Sequence, residues 1–217
     1  MQLPELFLDL FFPRRCVVCQ QEGSWACQDC LQFAADGTED FDRFELEPGL
    51  PAISLLPFEL KLVRELLHHL KYNGIYEAAD SFLKLLKLTH SKDELREQIG
   101  CTNPILVPVP TSRERFRQRG YNQAFLLATA IGEWLNIPVD DSLLVRTSGH
   151  SQVGKTALQR AETLSGSFIW KGDELLTRHA VLFDDLCTTG STLRACADSL
   201  RPHLSAGVSV LTLARKH

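Results

Sequence analysis

The sequence predicts an α/β domain preceded by a small metal-stapled module. Three observations predict it. Four cysteines fall within fifteen positions near the N-terminus, as two Cys-x-x-Cys pairs. Further on, short apolar runs are each followed by a polar turn and then by apolar residues at helical spacing. That is the strand, loop and helix order of an α/β layer. The 217 residues, 44% of them hydrophobic, supply enough apolar material for one such domain and a small extra module.

Charge narrows the function. Charged residues make up 23% of the chain and the net charge is −4. Bulk attraction to nucleic acid or membrane is not implied, so a polyanion site has to be a local basic patch. No run approaches the roughly 18 apolar residues of a spanning helix. The opening stretch 1–12 is apolar but carries Glu5 and Asp9, and it lacks a basic n-region and a small-residue cleavage site. It reads as a short amphipathic helix over the module rather than a signal peptide. The expected compartment is the cytoplasm, without membrane insertion.

The module spans residues 1–45. Cys16 and Cys19 form one pair, Cys27 and Cys30 the other, with seven residues between. Two such pairs converge four thiolates on one tetrahedral ion, and the expectation is a closed structural zinc site. A redox pair or an iron–sulfur cluster are the rivals. Cys101, Cys187 and Cys196 are dispersed, and an odd total argues against a disulfide framework. So few residues cannot build a core, and metal binding would supply their folding energy. Arg14 and Arg15 beside the first thiolate read as solvated charge, with a phosphate contact as the sharper alternative. Asp36 to Pro51, with Glu39, Asp40, Asp42, Glu45 and Glu47, reads as a solvated acidic linker into a domain spanning 46–217.

In that domain, Leu62, Val63, Leu66, Leu67 and Leu70 predict a helix over 59–72, with Gly74 as its stop. His68 and His69 near its end read as solvent-facing or capping residues. A second helix is expected over 75–88. Pro104 to Pro110 reads as a buried strand ended by a rigid proline turn. A basic loop follows, Thr111, Ser112, Arg113, Arg115, Arg117 and Arg119. Guanidinium groups match phosphate geometry, and α/β sheets place ligands at the carboxyl ends of strands. The loop is therefore a phosphate or pyrophosphate candidate. Asn122 caps a further helix with Phe125, Leu127, Ala128, Ile131 and Leu135 on one face.

Gly149 to Thr156 matches the P-loop pattern letter for letter, with Lys155 in place and Asp184 and Asp185 as acidic partners downstream. The preceding apolar run is short and broken by Arg146, and little chain follows Thr156, so a P-loop nucleotide-binding protein is the weaker reading.

The strongest string runs from His179 to Leu193. An apolar strand delivers Asp184 and Asp185 to its end. The turn Thr188, Thr189, Gly190, Ser191, Thr192 follows and opens a helix. Backbone N–H groups and hydroxyls at a helix N-terminus cradle an anion. Two carboxylates beside it would repel phosphate but suit sugar hydroxyls or a metal-bound substrate. The ligand implied is a ribose 5-phosphate, its phosphate in the turn and its diol on the acids.

This string resembles the fingerprint of type I phosphoribosyltransferases. The four-cysteine module, Lys71-Tyr72-Asn73-Gly74, Val107 to Pro110, Arg119 to Ala124 and Gln152 through Arg160 to Phe168 follow in order. Together they resemble the competence protein ComF family across nearly the whole chain. The resemblance implies the type I phosphoribosyltransferase fold, a mostly parallel sheet flanked by helices. It implies binding of phosphoribosyl pyrophosphate with Mg²⁺, and a role in natural transformation, handling imported single-stranded DNA in the cytoplasm beside other DNA-uptake proteins. The P-loop-like stretch becomes a substrate-side loop. One departure is visible: Arg160-Ala-Glu-Thr163 stands where the family tends to show Arg-x-x-Asn.

If catalytic, the chain would displace pyrophosphate from C1 of the ribose through an oxocarbenium-like state. Asp184 and Asp185 would hold the sugar, and Arg113 with Lys155 the pyrophosphate. No residue stands out as a general base for an acceptor. The alternatives are a non-catalytic DNA-handling adaptor on this fold and a base-salvage phosphoribosyltransferase. Cys187 reads as a passive small side chain.

Overall fold

A computed structural model describes residues 13–38, 40–72, 77–147, 167–172 and 177–217. Among them, helix α1 (Gln28–Asp36) carries Cys30 and is followed by strands β1 (Asp42–Glu47) and β2 (Leu50–Pro57). Helices α2 (Lys61–Tyr72), α3 (Ala78–Thr89) and α4 (Lys92–Ile99) come next. Then come β3 (Pro104–Pro108), α5 (Arg113–Arg119), α6 (Gln123–Leu135), and the short strands β4 (Leu144–Arg146) and β5 (Phe168–Trp170). The series closes with β6 (His179–Cys187), α7 (Ser191–Leu200) and β7 (Val208–Arg215).

Five strands form one sheet in the order β1-β2-β7-β6-β3. β2, β7, β6 and β3 pair in parallel, and β1 adds an antiparallel edge. The alternation along each strand sends side chains to two cores. Leu106, Val181, Phe183, Leu211 and Leu213 meet the helical layer of α2, α3, α4 and α6. Ile105, Val107, Ala180, Leu182 and Val210 face α7 on the other side. Being covered on both faces explains why β6 reads as a continuous apolar run before its acids.

The helix expected over 59–72 forms as α2, with all five of its spaced apolar residues buried. Burying each contributes about 1.5–3 kcal/mol. Asn122 caps α6 as expected, its Oδ1 accepting from the Ala124 N–H at 3.2 Å. Two loops turn out to be ordered. The acidic linker from Asp36 to Pro51 is mostly a β-hairpin, β1 pairing with the start of β2 across Pro48 and Gly49. The basic loop is a helix, α5, capped by Ser112, whose Oγ accepts from the Arg115 N–H, and ended by Gly120 at φ +83°. Helix α4 went unpredicted, though Ser91 and Glu94 form a capping box at its start.

The four-cysteine segment packs onto the helical layer: Val17, Ala26, Leu31 and Ala34 share one apolar cluster with Leu62, Phe82 and Leu86. The opening helix, Gly74 and the stretch from Gly149 to Thr163 lie outside the described residues. The strand before the P-loop-like motif, β4, is three residues long and pairs antiparallel with β5, apart from the five-stranded sheet. A P-loop needs a strand of the parallel sheet to feed it, and β4 is not one. No described helix is long and apolar enough to cross a membrane.

Candidate functional site

β6 lies between β7 and β3, so its carboxyl end opens at the middle of the parallel sheet. Asp184 and Asp185 stand there; Asp185 is buried and Asp184 half-buried. The Asp185 N–H donates to Asp184 Oδ1 at 2.9 Å. Asp185 Oδ2 lies 2.9 Å from Lys71 Nζ, in the last turn of α2. Burial first, and the Asp185 charge second, push Asp184 up to about 8; the Asp185 N–H and Lys71 pull the other way without balancing them. Two carboxylates this close disfavour double ionisation, so Asp184 holds its proton more readily than a free carboxyl does.

The turn closes the site. Asp184, Thr188, Thr189, Gly190, Ser191 and Thr192 line an open hollow of about 40 Å³, with Leu186, Cys187 and Leu193 behind. Thr189 Oγ1 lies 3.1 Å from Ser191 Oγ and accepts from the Ser191 N–H at 3.4 Å. Gly190, the N-cap of α7, supplies no side-chain cap, which leaves N–H groups of the first turn available. Its φ is +69°, and a Cβ there would meet Leu46 Cδ2 of β1 at 2.2 Å. The left-handed backbone favours glycine here whatever the space, and a side chain would in addition displace the Leu46 methyl. Arg194 ties the two together: Nη1 donates to Leu46 O and Nη2 to Thr189 O, both at 2.6 Å.

The basic residues divide. The guanidinium groups of Arg113, Arg115 and Arg117 are exposed on α5 and make no hydrogen bond or ion pair among the described residues. Arg119 donates to Gln123 Oε1 at 2.9 Å. Thr111 leads into the Ser112 cap. Lys155 lies outside the described residues. Arg146, read from the sequence only as a break in a strand, stacks over the Phe168 ring at 5.4 Å. Its pKa is lowered by burial and by Arg115, while Cys196 and Asp184 oppose the shift. Arg115 and Asp184 therefore both act on Arg146 electrostatically, in opposite directions. The sequence also missed Lys71 as a partner of the acids. No local signal links residues so far apart; the sheet order does. Burial raises the Cys187 and Cys196 thiols, which keeps both protonated and unreactive.

The four cysteines converge as their spacing predicts. The sulfurs of Cys16, Cys19, Cys27 and Cys30 all lie within 4.8 Å of one another, and Cys19 and Cys27 are 3.5 Å apart. A tetrahedral ion with bonds of about 2.3 Å sets its sulfurs about 3.8 Å apart, so the cluster fits zinc. Burial raises the Cys16 thiol, yet N–H groups of Cys19, Cys27 and Val18 outweigh it and bring it down to about 6. These donors favour the thiolate a metal needs. Arg15 is spent on Glu22, 2.7 Å away at the surface, in line with the solvated reading.

No family model matches the chain. Curated relatives do. Competence protein F of Haemophilus influenzae is 28% identical over 172 residues, 78% of this chain and 75% of that protein. DNA utilization protein YhgH of Escherichia coli K12 is 32% identical over 154 residues, 69% of this chain and 66% of that protein. Competence protein ComFC of Bacillus subtilis is 32% identical over 157 residues, 71% of this chain and 60% of that protein. The chain thus spans about three quarters of the first relative's length and about two thirds or less of the others'. Among solved structures, Leishmania donovani UMP synthase overlaps 87% of this chain and 31% of its own, at 17% identity and TM-score 0.31. Adenine phosphoribosyltransferase of Leishmania tarentolae overlaps 81% of this chain and 95% of its own, at 14% identity and TM-score 0.39. At these scores the overlaps add nothing to the sheet order described above.

Proposed function

This chain belongs to the ComF family of competence proteins and has the type I phosphoribosyltransferase fold, and on that premise we propose that it binds phosphoribosyl pyrophosphate at the end of β6 and serves DNA uptake. The observation that carries the reading is the acid pair of Asp184 and Asp185 joined to a hydroxyl-rich turn at an uncapped helix N-terminus. The turn holds the 5-phosphate through backbone N–H groups and the hydroxyls of Thr188, Thr189, Ser191 and Thr192. Asp184 and Asp185 accept hydrogen bonds from the ribose hydroxyls. Arg113 and Arg115 are the candidates for the pyrophosphate, and Arg115 and Asp184 both act on the charge of Arg146. Lys71 either yields Asp185 to a hydroxyl or turns to the pyrophosphate.

Hard oxygen donors such as this acid pair suit Mg²⁺, which when bound would neutralise the pyrophosphate and strengthen it as a leaving group. The chain's own residues fix the ribose, and the two acids stabilise positive charge developing at C1. The four-cysteine site, closed by its four thiolates, staples its segment. The relatives' names, competence and DNA utilization, support a role with DNA; in our reading that role is the handling of imported single-stranded DNA in the cytoplasm.

Calorimetry of the purified protein with phosphoribosyl pyrophosphate and Mg²⁺ tests the reading. The expected result is one site per chain, weakened in Asp184→Asn and in Asp185→Asn proteins that remain folded. Absence of heat from the unchanged protein would overturn it. A pyrophosphate-release assay with candidate acceptors then separates a transferase from an adaptor that binds without turnover.

A further inference from the structure

The outer faces of α2 and α5 carry a pattern that neither the hollow nor the core requires. Along α2, Arg64, His68 and Tyr72 face solvent at helical spacing. Tyr72 is 69% exposed. The His68 ring stands 5.0 Å from it, tilted by 43°. Behind them the His69 ring lies 6.0 Å from His68 and 6.0 Å from Trp25 of the four-cysteine segment. On the other side the Arg119 guanidinium sits over the Tyr72 ring, 5.6 Å from its centre. One turn back along α5, Phe116 is 50% exposed. Helix α5 buries no residue, so packing does not account for a phenyl ring there.

A lone exposed ring needs no explanation. Here one guanidinium joins two helices that each expose a ring, and open arginines flank the second ring. Glu65 and Glu114 are the acidic side chains on these faces, against Arg64, Arg113, Arg115, Arg117 and Arg119. Net positive charge interleaved with exposed rings is the chemistry that takes an unpaired polynucleotide: bases stack on the rings, and phosphates pair with the cations. Bases in a duplex are stacked on one another and cannot reach such rings. We propose that the surface running from His68 and Tyr72 through Arg119 to Phe116 is a stacking track for single-stranded DNA. It rests on the DNA-handling role proposed above and gives that role a place on the molecule, along rings that the hollow does not use. Trp25 and His69 anchor its inner end to the four-cysteine segment.

The test is fluorescence anisotropy of the full chain with a labelled oligothymidylate and with a duplex of equal length, across a salt series. Replacing both rings (Tyr72→Ala with Phe116→Ala) is expected to raise the Kd for the oligothymidylate about tenfold or more, the loss of one or two stacked bases. Tyr72→Phe with Phe116→Tyr should restore it. Duplex affinity and the salt slope should hold, because both depend on the cations. Zinc content and thermal unfolding report whether the double variant folds. If it does not, Phe116→Ala alone, on a helix that buries nothing, should still weaken binding about threefold or more. An unchanged Kd, or an equal loss for duplex, overturns the track while leaving the DNA-handling role standing. No binding of the oligothymidylate by the unchanged protein overturns both.

Discussion

The hollow at the end of β6 and the helix α5 are both offered to phosphate, yet they are built in opposite ways. In the hollow the groups that frame the ligand's place are held by fixed partners, while the first-turn N–H groups are left for the ligand. Asp185 holds Lys71, Arg194 clamps the turn to β1, and Gly190 sits at a left-handed φ against the Leu46 methyl. On α5 no residue is buried, and three arginines have no partner among the described residues. A site held from several sides recognises one small ligand in one pose, because its geometry is set before the ligand arrives. A helix held only at its ends presents charge without dictating pose, which suits a polymer bound at many points.

The contrast can be broken most sharply at Gly190. Gly190→Val should abolish phosphoribosyl pyrophosphate binding, since the new side chain meets Leu46 and the backbone sits at φ +69°. Calorimetry at ligand levels that saturate the unchanged protein checks this. If binding survives, the turn is less fixed than its packing indicates. Next in size, Asp185→Asn should raise the Kd for the same ligand about tenfold or more, because it removes a ligand contact and strands Lys71. In the four-cysteine segment, Cys27→Ser should reduce bound zinc from about one per chain to near none. Metal analysis reads that loss, and limited proteolysis should then cut near Trp25.

A smaller effect concerns pH. In the free protein Asp184 is pushed up to about 8, whereas ribose hydroxyls donating to it favour the ionised form. Ligand binding should therefore release a proton, and affinity should rise as pH climbs through that value and level off above it. Calorimetry in buffers of different ionisation heat measures the release, and Asp184→Asn should remove it. The smallest predicted change separates the two regions directly. Arg115→Glu with Arg117→Glu should weaken single-stranded DNA binding more than Asp184→Asn does, as read by gel shift at low salt. If phosphoribosyl pyrophosphate also competes with DNA, the two surfaces overlap.

Local signals made much of this legible in the sequence. The spacing of Leu62, Val63, Leu66, Leu67 and Leu70 located α2, and the cysteine pairs located a cluster that does converge. The run into Asp184 and Asp185 located the carboxyl end of the central strand. Charge hid the β1–β2 hairpin. Phe44 and Leu46 alternate with acids in the period of a strand, and Pro48-Gly49 marks its turn, but five acidic residues made the stretch read as solvent. Helix α5 was hidden in the same way by its arginines, although Ser112 and Gly120 bracket it with ordinary start and stop signals. What no local signal could supply was the meeting of Lys71 with Asp185 or of Arg194 with Leu46. Those contacts exist because the sheet brings distant strands side by side.

The strand order also carries a schedule. β2 joins the sheet only through β7, the last strand in the series, and Asp42 of β1 pairs with Arg215 at 3.1 Å. While the chain leaves the ribosome, the hairpin has no place to dock until nearly all of the described residues have been made. Leu50, buried in one cluster with Leu182, Val208 and Val210, must wait uncovered. The four-cysteine segment needs only its own residues and a metal ion to close. The nascent chain would thus pass through a stage with a finished metal knot at one end and an unfinished sheet behind it. That stage is where a chaperone, or an aggregation partner, would find it.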